Sequence, residues 1–309
     1  MQVLELVCSH VDFQGWPRRS FFRQAALLAT NEIHAQRLAY FASPEGVRDG
    51  MTYAKTEQHS CLEALRDFPS VRPSLDRLLE LVPKLGPRHF SIASAPSAHP
   101  QKIELLVALV EYETKLKVAK RGVCSAFLSS VADKVGTAAG RPRVPIWLSD
   151  GSLKLPGHPS VPLILVGPGT GVAPFRSFLE DRQVQRSQAQ PSTAFGDVHL
   201  FFGCRNKGAD FYFAEQWEEM LADGTLAGLH TAFSRDGDSK VYVQQRIKDA
   251  GAAIWPLLVG DDAGRPPAVV YVAGNAVTQS LARTFDALLA LLLLSFLVFL
   301  VCVGAYLLL

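Results

Sequence analysis

Apolar residues recur at spacings of three and four along residues 18–82, a period that is typical of amphipathic helices. Residues 86–156 instead contain apolar runs with partial alternation. These are KIELLVALVEYE (102–113) and VPIWLSDGSLKLP (144–156), and the second has a hairpin signal at Asp150-Gly151. The pattern therefore predicts a helical region followed by an antiparallel β region, with one short helix beginning near Ser125.

From residue 161 to residue 276, short apolar runs alternate with segments of helical period. The runs are LILVG, HLFFG, LHTAFS and VVYVAG, and the helices predicted between them cover 175–187, 211–222 and 242–253. Strands that alternate with helices form a parallel sheet covered on both faces. The fold class predicted for the whole chain is therefore α/β plus β.

The last stretch, residues 287–309, is apolar and carries no charge. At about 1.5 Å per residue, a helix of this length spans roughly 34 Å, enough to cross a hydrocarbon core of about 30 Å. We therefore predict an apolar C-terminal helix over 284–309 that spans or seeks a membrane. A buried core helix is the alternative, although it would normally show a polar face, and an altered transcript is another explanation for this ending.

Composition limits the function classes that remain. The chain has 309 residues, of which 48% are apolar, so it can hold two or so domains with sizeable cores. Its 31 basic and 29 acidic residues nearly cancel, and it has no basic stripe with interleaved aromatic residues, so we expect no nucleic-acid partner. The 5 cysteines are scattered without a CxxC pair, which argues against a metal site or a disulfide framework and indicates a reducing compartment.

The most informative stretch is PLILVGPGTGVAPFRSFLEDR, residues 162–182. It predicts a buried strand, a glycine turn and a helix, in that order. Glycines let the backbone approach an anion closely, and a helix start offers unpaired N–H groups and a positive dipole end. This order favours a phosphate cradle, with an ordinary strand-to-helix turn as the alternative. Val172 stands where the common G-x-G-x-x-G fingerprint has its third glycine.

Five further motifs accompany this one: RHFSIASAP (88–96), RGVCSAFL (121–128), FFGCRN (201–206), AFSRDGDSKVYVQ (232–244) and YVAGNA (271–276). In order and spacing they closely resemble the ferredoxin–NADP reductase module of the diflavin reductases. Within that family, the nearest resemblance is to the member that supplies electrons to cytosolic iron–sulfur assembly. The resemblance covers about residues 17–276 and implies FAD and NADPH as cofactors.

The resemblance implies an FAD site built from two of these motifs. Arg88 would bind the flavin diphosphate, Phe90 would face the isoalloxazine ring in place of the more common tyrosine, and the catalytic Ser91 would hydrogen-bond near flavin N5. Gly122 permits a close backbone approach, and Ser125 can cap a helix whose amides face an anion. The implied set is Arg88, His89, Phe90, Ser91, Gly122, Val123, Cys124 and Ser125. Taken alone, RHFS is better explained by a half-buried strand with a surface arginine, and Cys124 is better explained by packing than by reactivity.

The residues after the third predicted strand favour NADPH over NADH. The sequence has no clear acidic residue in the position that would bind a ribose hydroxyl. Arg235 and Lys240 instead supply cations for a 2′-phosphate, and Tyr242 can stack on adenine. A charged loop followed by a helix is the alternative. The predicted NADP set is Gly169, Thr170, Ser234, Arg235, Lys240, Val241, Tyr242, Val243 and Gln244.

The resemblance divides the chain into four regions. They are a partial helical connecting segment (1–85), an incomplete antiparallel flavin-binding barrel (86–157), a parallel α/β NADP-binding domain (158–280) and the apolar tail (284–309). We expect FMN only in the full-length family, because no FMN domain is found in this sequence. Ala282 stands where the family has an acid near the nicotinamide, so binding chemistry is better represented than catalysis.

The function implied by the resemblance is hydride transfer from NADPH to FAD in the cytoplasm. Electrons would then pass, through FMN in the full-length family, to an anamorsin-type iron–sulfur protein. The alternative is a catalytically impaired isoform or fold fragment that is held at a membrane through residues 287–309. Bound oxidised flavin is yellow, so the colour of the purified protein separates the two.

Overall fold

The computed structural model describes residues 2–135, 142–260, 266–274 and 307–308. The chain divides into two compact units. Unit 1 comprises Met1–Arg88 and Leu109–Arg143, and unit 2 comprises His89–Ala108 and Val144–Leu309. The predicted borders between the four regions stay predictions, and the residues of the predicted barrel are shared between the two units.

Helices and strands are numbered along the chain. The α-helices are α1 (Val3–His10), α2 (Arg19–Leu28), α3 (Glu32–Ala42), α4 (Val47–Met51), α5 (Cys61–Asp67), α6 (Leu75–Leu81), α7 (Val123–Ala132), α8 (Ala173–Gln188), α9 (Lys207–Asp210), α10 (Ala214–Ala222), α11 (Val243–Asp249) and α12 (Gly251–Val259). A π-helix at Thr52–Thr56 follows α4, and a 3-10 helix at Gly169–Val172 precedes α8. The strands are β1 (His89–Phe90), β2 (Glu111–Glu113), β3 (Ala119–Arg121), β4 (Trp147–Leu148), β5 (Leu163–Val166), β6 (Val198–Cys204), β7 (Gly228–Phe233), β8 (Val269–Val272) and β9 (Leu307–Leu308).

The helical region predicted from the apolar spacing is confirmed in unit 1, where α2, α3, α5 and α6 contribute to one apolar core. Phe22 of α2 packs edge-to-face on Phe41 of α3, with ring centroids 5.3 Å apart. Helix α5 begins at a capping box, in which the Ser60 hydroxyl accepts the Glu63 N–H and the Glu63 carboxylate accepts the Ser60 N–H at 2.8 Å. Helix α5 therefore begins where the sequence supplies both an apolar face and a cap.

Unit 1 also contains the antiparallel hairpin of β2 and β3, followed by α7. Lys120 of β3 donates to Glu63 Oε1 of α5 at 2.6 Å, which joins the hairpin to the helical core. Burial by itself would raise the pKa of Glu63, but hydrogen bonds from Lys120 and Ser60 outweigh it and lower that pKa to about 2. This ion pair holds the strand that leads directly into Gly122 and α7.

Unit 2 contains the predicted parallel sheet, with the strand order β7-β6-β5-β8. Leu165 of β5 pairs with Leu200 of β6 on one side and with Tyr271 of β8 on the other. Helices follow β5, β6 and β7 as the alternation predicts. The helix predicted over 242–253 is instead two helices, α11 and α12, which meet at Ala250.

The apolar core of unit 2 lies on both faces of this sheet. Leu163 and Leu165 of β5 pack with residues of α8 and α10 on one face, while Ile164 and Val166 pack with residues of α11 and α12 on the other. All residues of β5 are buried. A strand that is covered on both faces is apolar at every position, which explains why LILV shows no alternation.

The antiparallel barrel predicted over 86–157 is not confirmed. In the described residues, the run 102–113 is a strand only at β2, and the run 144–156 is a strand only at β4, without a hairpin around Asp150-Gly151. Strands β1 and β4 each pair with β9, and Ile92 and Leu105 form an isolated bridge. A strand persists only where a neighbour satisfies its backbone hydrogen bonds, so most of these apolar runs are irregular.

No helix in the described part of the chain is long and apolar enough to cross a membrane. The apolar helix predicted over 284–309 lies outside the described residues, except that the backbone of Leu307–Leu308 forms β9 between β1 and β4. Ala282, where the resemblance implies an acid, also lies outside them.

Candidate functional site

The carboxyl ends of the four parallel strands lie along one edge of the sheet in unit 2. Strands β6 and β7 lie on one side of β5, and β8 lies on the other side, so the strand order reverses at β5. Open α/β sheets bind ligands at such a switch point. The loops that follow β5 and β8 meet there, since a Cβ on Gly171 would lie 2.2 Å from the Ala273 carbonyl oxygen. Gly274, with φ +134°, borders Pro168 of the other loop. Glycine is what allows these two loops to approach so closely.

The predicted phosphate cradle lies at this switch point. Gly169 has φ +58°, and a Cβ there would meet nothing within 4 Å, so the space beside it is open. The 3-10 helix that begins here continues into α8. The N–H groups of Gly169 and Thr170 have no backbone acceptor in the described part of the chain, and Thr170 is exposed. Free N–H groups at a helix start, next to open space, form an arrangement that suits a phosphate.

Two arginines extend the site along the same edge. Beyond the ends of β6 and β7, the Ser234 N–H donates to the Cys204 carbonyl at 3.0 Å, and the Arg235 N–H donates to the Arg205 carbonyl at 2.9 Å. These bonds continue the pairing of the two strands and bring the backbones of Arg205 and Arg235 side by side. Both arginine side chains are exposed, so the edge carries positive charge next to the cradle.

The acidic residue among these cations, Asp236, has a structural role. Its Oδ1 accepts from the Asn206 side-chain amide at 2.9 Å, and its Oδ2 accepts from the Lys207 N–H at 2.6 Å. The carboxylate therefore joins the loop after β7 to the loop after β6. Arg235 and Lys240 are exposed and form no ion pair among the residues that the structure describes, which leaves both cations accessible to an anion.

The start of α11 is held in place by Val243. This side chain is 4% exposed and packs in the core cluster under the helix. A Cβ on Gly203 would lie 2.4 Å from Val243 Cγ2, so the glycine makes room for it. Val241 is partly buried against the same cluster and Gln244 is half-buried, whereas Tyr242 is 54% exposed. Tyr242 therefore offers its ring at the surface, while the side chains of Val241 and Val243 pack against the core.

A second predicted site lies in unit 1, where α7 begins. Gly122 is the N-cap residue, so the prediction that Ser125 caps this helix is wrong. Ser125 lies in the first turn, where its buried hydroxyl accepts the Val110 N–H at 3.1 Å and donates to the Gly122 carbonyl at 3.3 Å. The N–H groups of Val123, Cys124 and Ser125 have no backbone acceptor among the described residues, as is usual at a helix start.

Arg88 acts electrostatically on this helix start. Burial raises the pKa of the Cys124 thiol, and the charge of Arg88 opposes that rise, which places the guanidinium within electrostatic range. Arg88 also donates from Nη1 to the Gly86 carbonyl. Cys124 is half-buried, and unit 1 brings a cation together with three N–H groups that lack a backbone acceptor among the described residues.

His89, Phe90 and Ser91 belong to unit 2. His89 is exposed and Phe90 is half-buried, in keeping with the two faces expected of a strand, and Ser91 is half-buried. The strand itself is only β1, two residues long. The flavin contacts assigned to these residues stay predictions.

Comparison with known proteins gives two domain matches. The FAD binding domain matches residues 1–127, and the oxidoreductase NAD-binding domain matches residues 165–282. Similar proteins include NADPH-dependent diflavin oxidoreductase 1 of Arabidopsis thaliana, 45% identical over 266 residues (84% of this chain and 40% of that protein). The proteins of the same name from Bos taurus and Danio rerio are 42% and 41% identical over 89% and 91% of this chain, and 43% and 44% of their own lengths. The chain belongs to the diflavin reductase family.

The chain spans about two fifths of the length of the curated relatives it matches. Its two domain matches show an FAD binding domain and an oxidoreductase NAD-binding domain, with FAD and NADPH as the cofactors. The structure fits both groups. The nucleotide would find open space and free N–H groups at Gly169. The flavin diphosphate would find the cation of Arg88, which acts on the start of α7, and the N–H groups there that lack a backbone acceptor.

Two arginines of this chain are not predicted from the sequence. Arg205 follows β6 directly, and a cation immediately after the FFGC run was its signal. Arg176 lies in the first turn of α8, is 4% exposed and pairs with Glu180. The spacing of Arg176 and Glu180 on one helix face was its only signal, because charged residues are normally assigned to the surface.

Proposed function

We propose that this chain is the part of a diflavin reductase that accepts reducing equivalents from NADPH onto FAD and passes them onward. The observation that carries the proposal is the sheet edge of unit 2. There the free N–H groups of Gly169 and Thr170 share one edge with the exposed cations Arg205 and Arg235. Such an edge suits a dinucleotide that carries a 2′-phosphate better than one with a neutral ribose.

In this proposal the N–H groups of Gly169 and Thr170 bind the dinucleotide diphosphate. Arg235 and Lys240 bind the 2′-phosphate together with Ser234, and Tyr242 stacks on adenine. Asp236 and Val243 do not touch the ligand. They hold the two loops and the start of α11 in the positions from which the binding groups act.

On the flavin side, Arg88 and the N–H groups at the start of α7 bind the FAD diphosphate. Phe90 lies against the isoalloxazine ring, and Ser91 hydrogen-bonds near its N5. When bound, FAD and NADPH supply the redox chemistry, in which a hydride passes from nicotinamide to flavin. The residues of this chain contribute orientation, and orientation matters because a misplacement of about 1 Å can lower a rate about a hundredfold.

We also propose an iron–sulfur protein of the anamorsin type as the final acceptor, reached through FMN in the full-length family. Its support is the resemblance of the six motifs to the reductase of cytosolic iron–sulfur assembly. The test is reduction of the purified iron–sulfur protein by NADPH and this chain, with and without an added flavodoxin-like FMN domain. Reduction in neither mixture would exclude this acceptor.

The proposed activity is tested on the full chain, purified and supplied with FAD. We expect a yellow protein with flavin absorbance at about 450 nm, which NADPH bleaches faster than NADH without oxygen. The control is the variant Lys248→Ala, which alters an exposed cation at the far end of α11. It should behave as the unaltered chain, whereas Lys240→Ala should narrow the preference for NADPH. A colourless protein would contradict the proposal and favour the catalytically impaired fragment.

A further inference from the structure

A buried ion-pair network in unit 2 joins α8 to the segment that follows the predicted flavin residues. Its centre is Arg176, which is 4% exposed. Nη1 donates to the Ala93 carbonyl at 2.9 Å and to Glu104 Oε2 at 2.5 Å. Nη2 pairs with Glu180 Oε1 at 2.7 Å, and Nε donates to Gln216 Oε1 at 2.6 Å. One guanidinium thus bonds α8, α10 and the segment after β1.

Two more side chains of α8 hold the next residues of that segment. Ser177 Oγ donates to the Ser94 carbonyl at 3.1 Å, and Glu180 Oε2 accepts the Ala95 N–H at 2.9 Å. Together with the bond from Arg176 to Ala93, three consecutive residues of the segment are each bonded to α8. We call this set of contacts the α8 clamp.

The clamp is not a metal site, although His99, Glu104 and Glu180 bring possible ligand atoms within 4.8 Å of one another. Cations already occupy the place, since Arg176 pairs with both carboxylates and Lys102 pairs with Glu104. Both carboxylates are therefore compensated. A metal ion would add buried positive charge to a cluster that does not need it.

The clamp lies between two parts of the proposed active site. Arg176 follows the start of α8 by three residues, roughly 5 Å along the helix, and α8 begins directly at the phosphate cradle. On the other side, Ala93 follows Ser91 by two residues, at most roughly 7 Å of extended chain. Short connections therefore link the cradle and the predicted flavin residues to the same buried guanidinium.

We propose that Arg176, assisted by Ser177 and Glu180, is a positioning residue for hydride transfer. It holds the segment that carries Phe90 and Ser91 at a set distance from the nucleotide cradle, and it touches neither cofactor. Arginine suits this role because its planar guanidinium reaches acceptors in several directions at once, which the single ammonium of lysine does not. The inference rests on the proposed function.

The test compares Arg176→Lys with a matched control, Arg182→Lys. Arg182 is also in α8 and is 5% exposed, but it donates to the carbonyls of Pro159 and Gly196, away from the segment after β1. Flavin reduction by NADPH, followed without oxygen, should slow about ten- to a hundredfold in Arg176→Lys and little in Arg182→Lys. The affinity for 2′,5′-ADP, which reports the cradle edge alone, should be the same in both variants.

A second measurement needs no cofactor. Amide hydrogen exchange of residues 91–105 should be faster in Arg176→Lys than in Arg182→Lys, because only the first variant releases the clamp. Equal exchange in the two variants would overturn the clamp, and faster exchange with an unchanged reduction rate would overturn its role in positioning. A wild-type chain that does not reduce flavin would instead contradict the proposed function, while the exchange result would still stand.

Discussion

The runs LILV of unit 2 and KIELLVALVEYE (102–113) are both largely apolar, yet only the first is a strand along its whole length. Strand β5 has a hydrogen-bonded neighbour on each side and helices on each face, and all of its residues are buried. Strands β2 and β3 pair only with each other, and every residue of β2 and of β4 is exposed. Apolar runs become lasting strands only where neighbours both pair their backbone and cover their faces.

This contrast also distinguishes how the two proposed binding sites are held. The nucleotide edge consists of loops whose ends are held by four paired strands. The predicted flavin residues depend on separate polar contacts within each unit: Lys120 with Glu63 and Ser125 with Val110 in unit 1, and the α8 clamp in unit 2. We therefore expect nucleotide binding to be lost when the backbone of its edge is disturbed. Flavin binding should instead weaken when single side chains are removed.

The largest effect is expected where the loops after β5 and β8 meet. Gly171→Ala places a Cβ 2.2 Å from the Ala273 carbonyl oxygen, so the loops must separate. We expect the free energy of unfolding of unit 2 to fall by about 3 kcal/mol or more, with loss of 2′,5′-ADP binding. Gly208→Ala, whose added Cβ meets nothing within 4 Å, is the control. Equal urea midpoints for the two variants would show that this backbone contact is unimportant.

A smaller effect, confined to ligand binding, is expected at Arg235. Losing one charge-assisted contact to a 2′-phosphate costs roughly 1.5 to 3 kcal/mol, which is about ten- to a hundredfold in affinity. Arg235→Ala should therefore weaken NADP binding and leave NAD binding and stability unchanged, as measured by titration. Arg66→Ala, which alters an exposed arginine of unit 1, should change neither affinity. An unaltered preference between NADP and NAD would remove Arg235 from the site.

The sheet should also respond to acid through a histidine pair. His199 Nδ1 and His230 Nε2, on neighbouring strands, lie 3.1 Å apart. The pKa of His230 is lowered to about 4, mainly by burial and further by the charges of His199 and Arg246. Burial lowers the pKa of His199 as well. An unfolded histidine has a pKa of about 6.5, so the unfolded chain binds more protons between about pH 6.5 and about pH 4. The histidine pair therefore costs unit 2 no stability above this window and lowers its stability as the pH falls through it.

His230→Leu should reduce that loss between about pH 7 and about pH 4.5, by at most about 1.4 kcal/mol per pH unit. Urea unfolding at a series of pH values measures it, and the exposed His158→Leu serves as the control. If wild type and His230→Leu lose stability in parallel over this range, the buried pair does not cause the acid sensitivity.

The smallest effect is expected from the ion pair that holds the flavin-side hairpin. Glu63 has its pKa lowered to about 2 by Lys120 and Ser60 against the effect of burial, so its contribution is complete above about pH 4.5 and is lost as the pH falls toward about 2. Lys120→Met should destabilise unit 1 by about 1 kcal/mol at neutral pH and flatten this acid dependence. FAD retention should fall together with the stability of unit 1, because β3 leads into Gly122.

The control is Lys117→Met, which alters an exposed lysine whose Nζ lies 3.9 Å from Glu113 Oε2. Equal FAD retention in the two variants would show that the Lys120–Glu63 ion pair does not support the flavin site.

Sequence reasoning succeeded where the signal was local. The spacing of apolar residues predicted the helices of unit 1, and GPGTG predicted the strand, turn and helix around Gly169. It failed for the hairpin around Asp150-Gly151, because a turn signal does not supply the partner strands that a hairpin needs. It also assigned the cap of α7 to Ser125, although Gly122 caps the helix and Ser125 bonds the backbone of Val110.

The sequence by itself determined the kinds of element, their order, and the family motifs that mark a nucleotide edge and a flavin side, because periodicity and glycine turns depend on neighbouring residues. Only the tertiary structure decided which apolar runs became strands, that Asp236 joins two loops, and that Arg176 is buried at the centre of a clamp. Arg176 contacts residues 83 and 72 positions away in the chain. Pairing partners and compensating charges at that separation arise from folding in three dimensions, so no local pattern announces them.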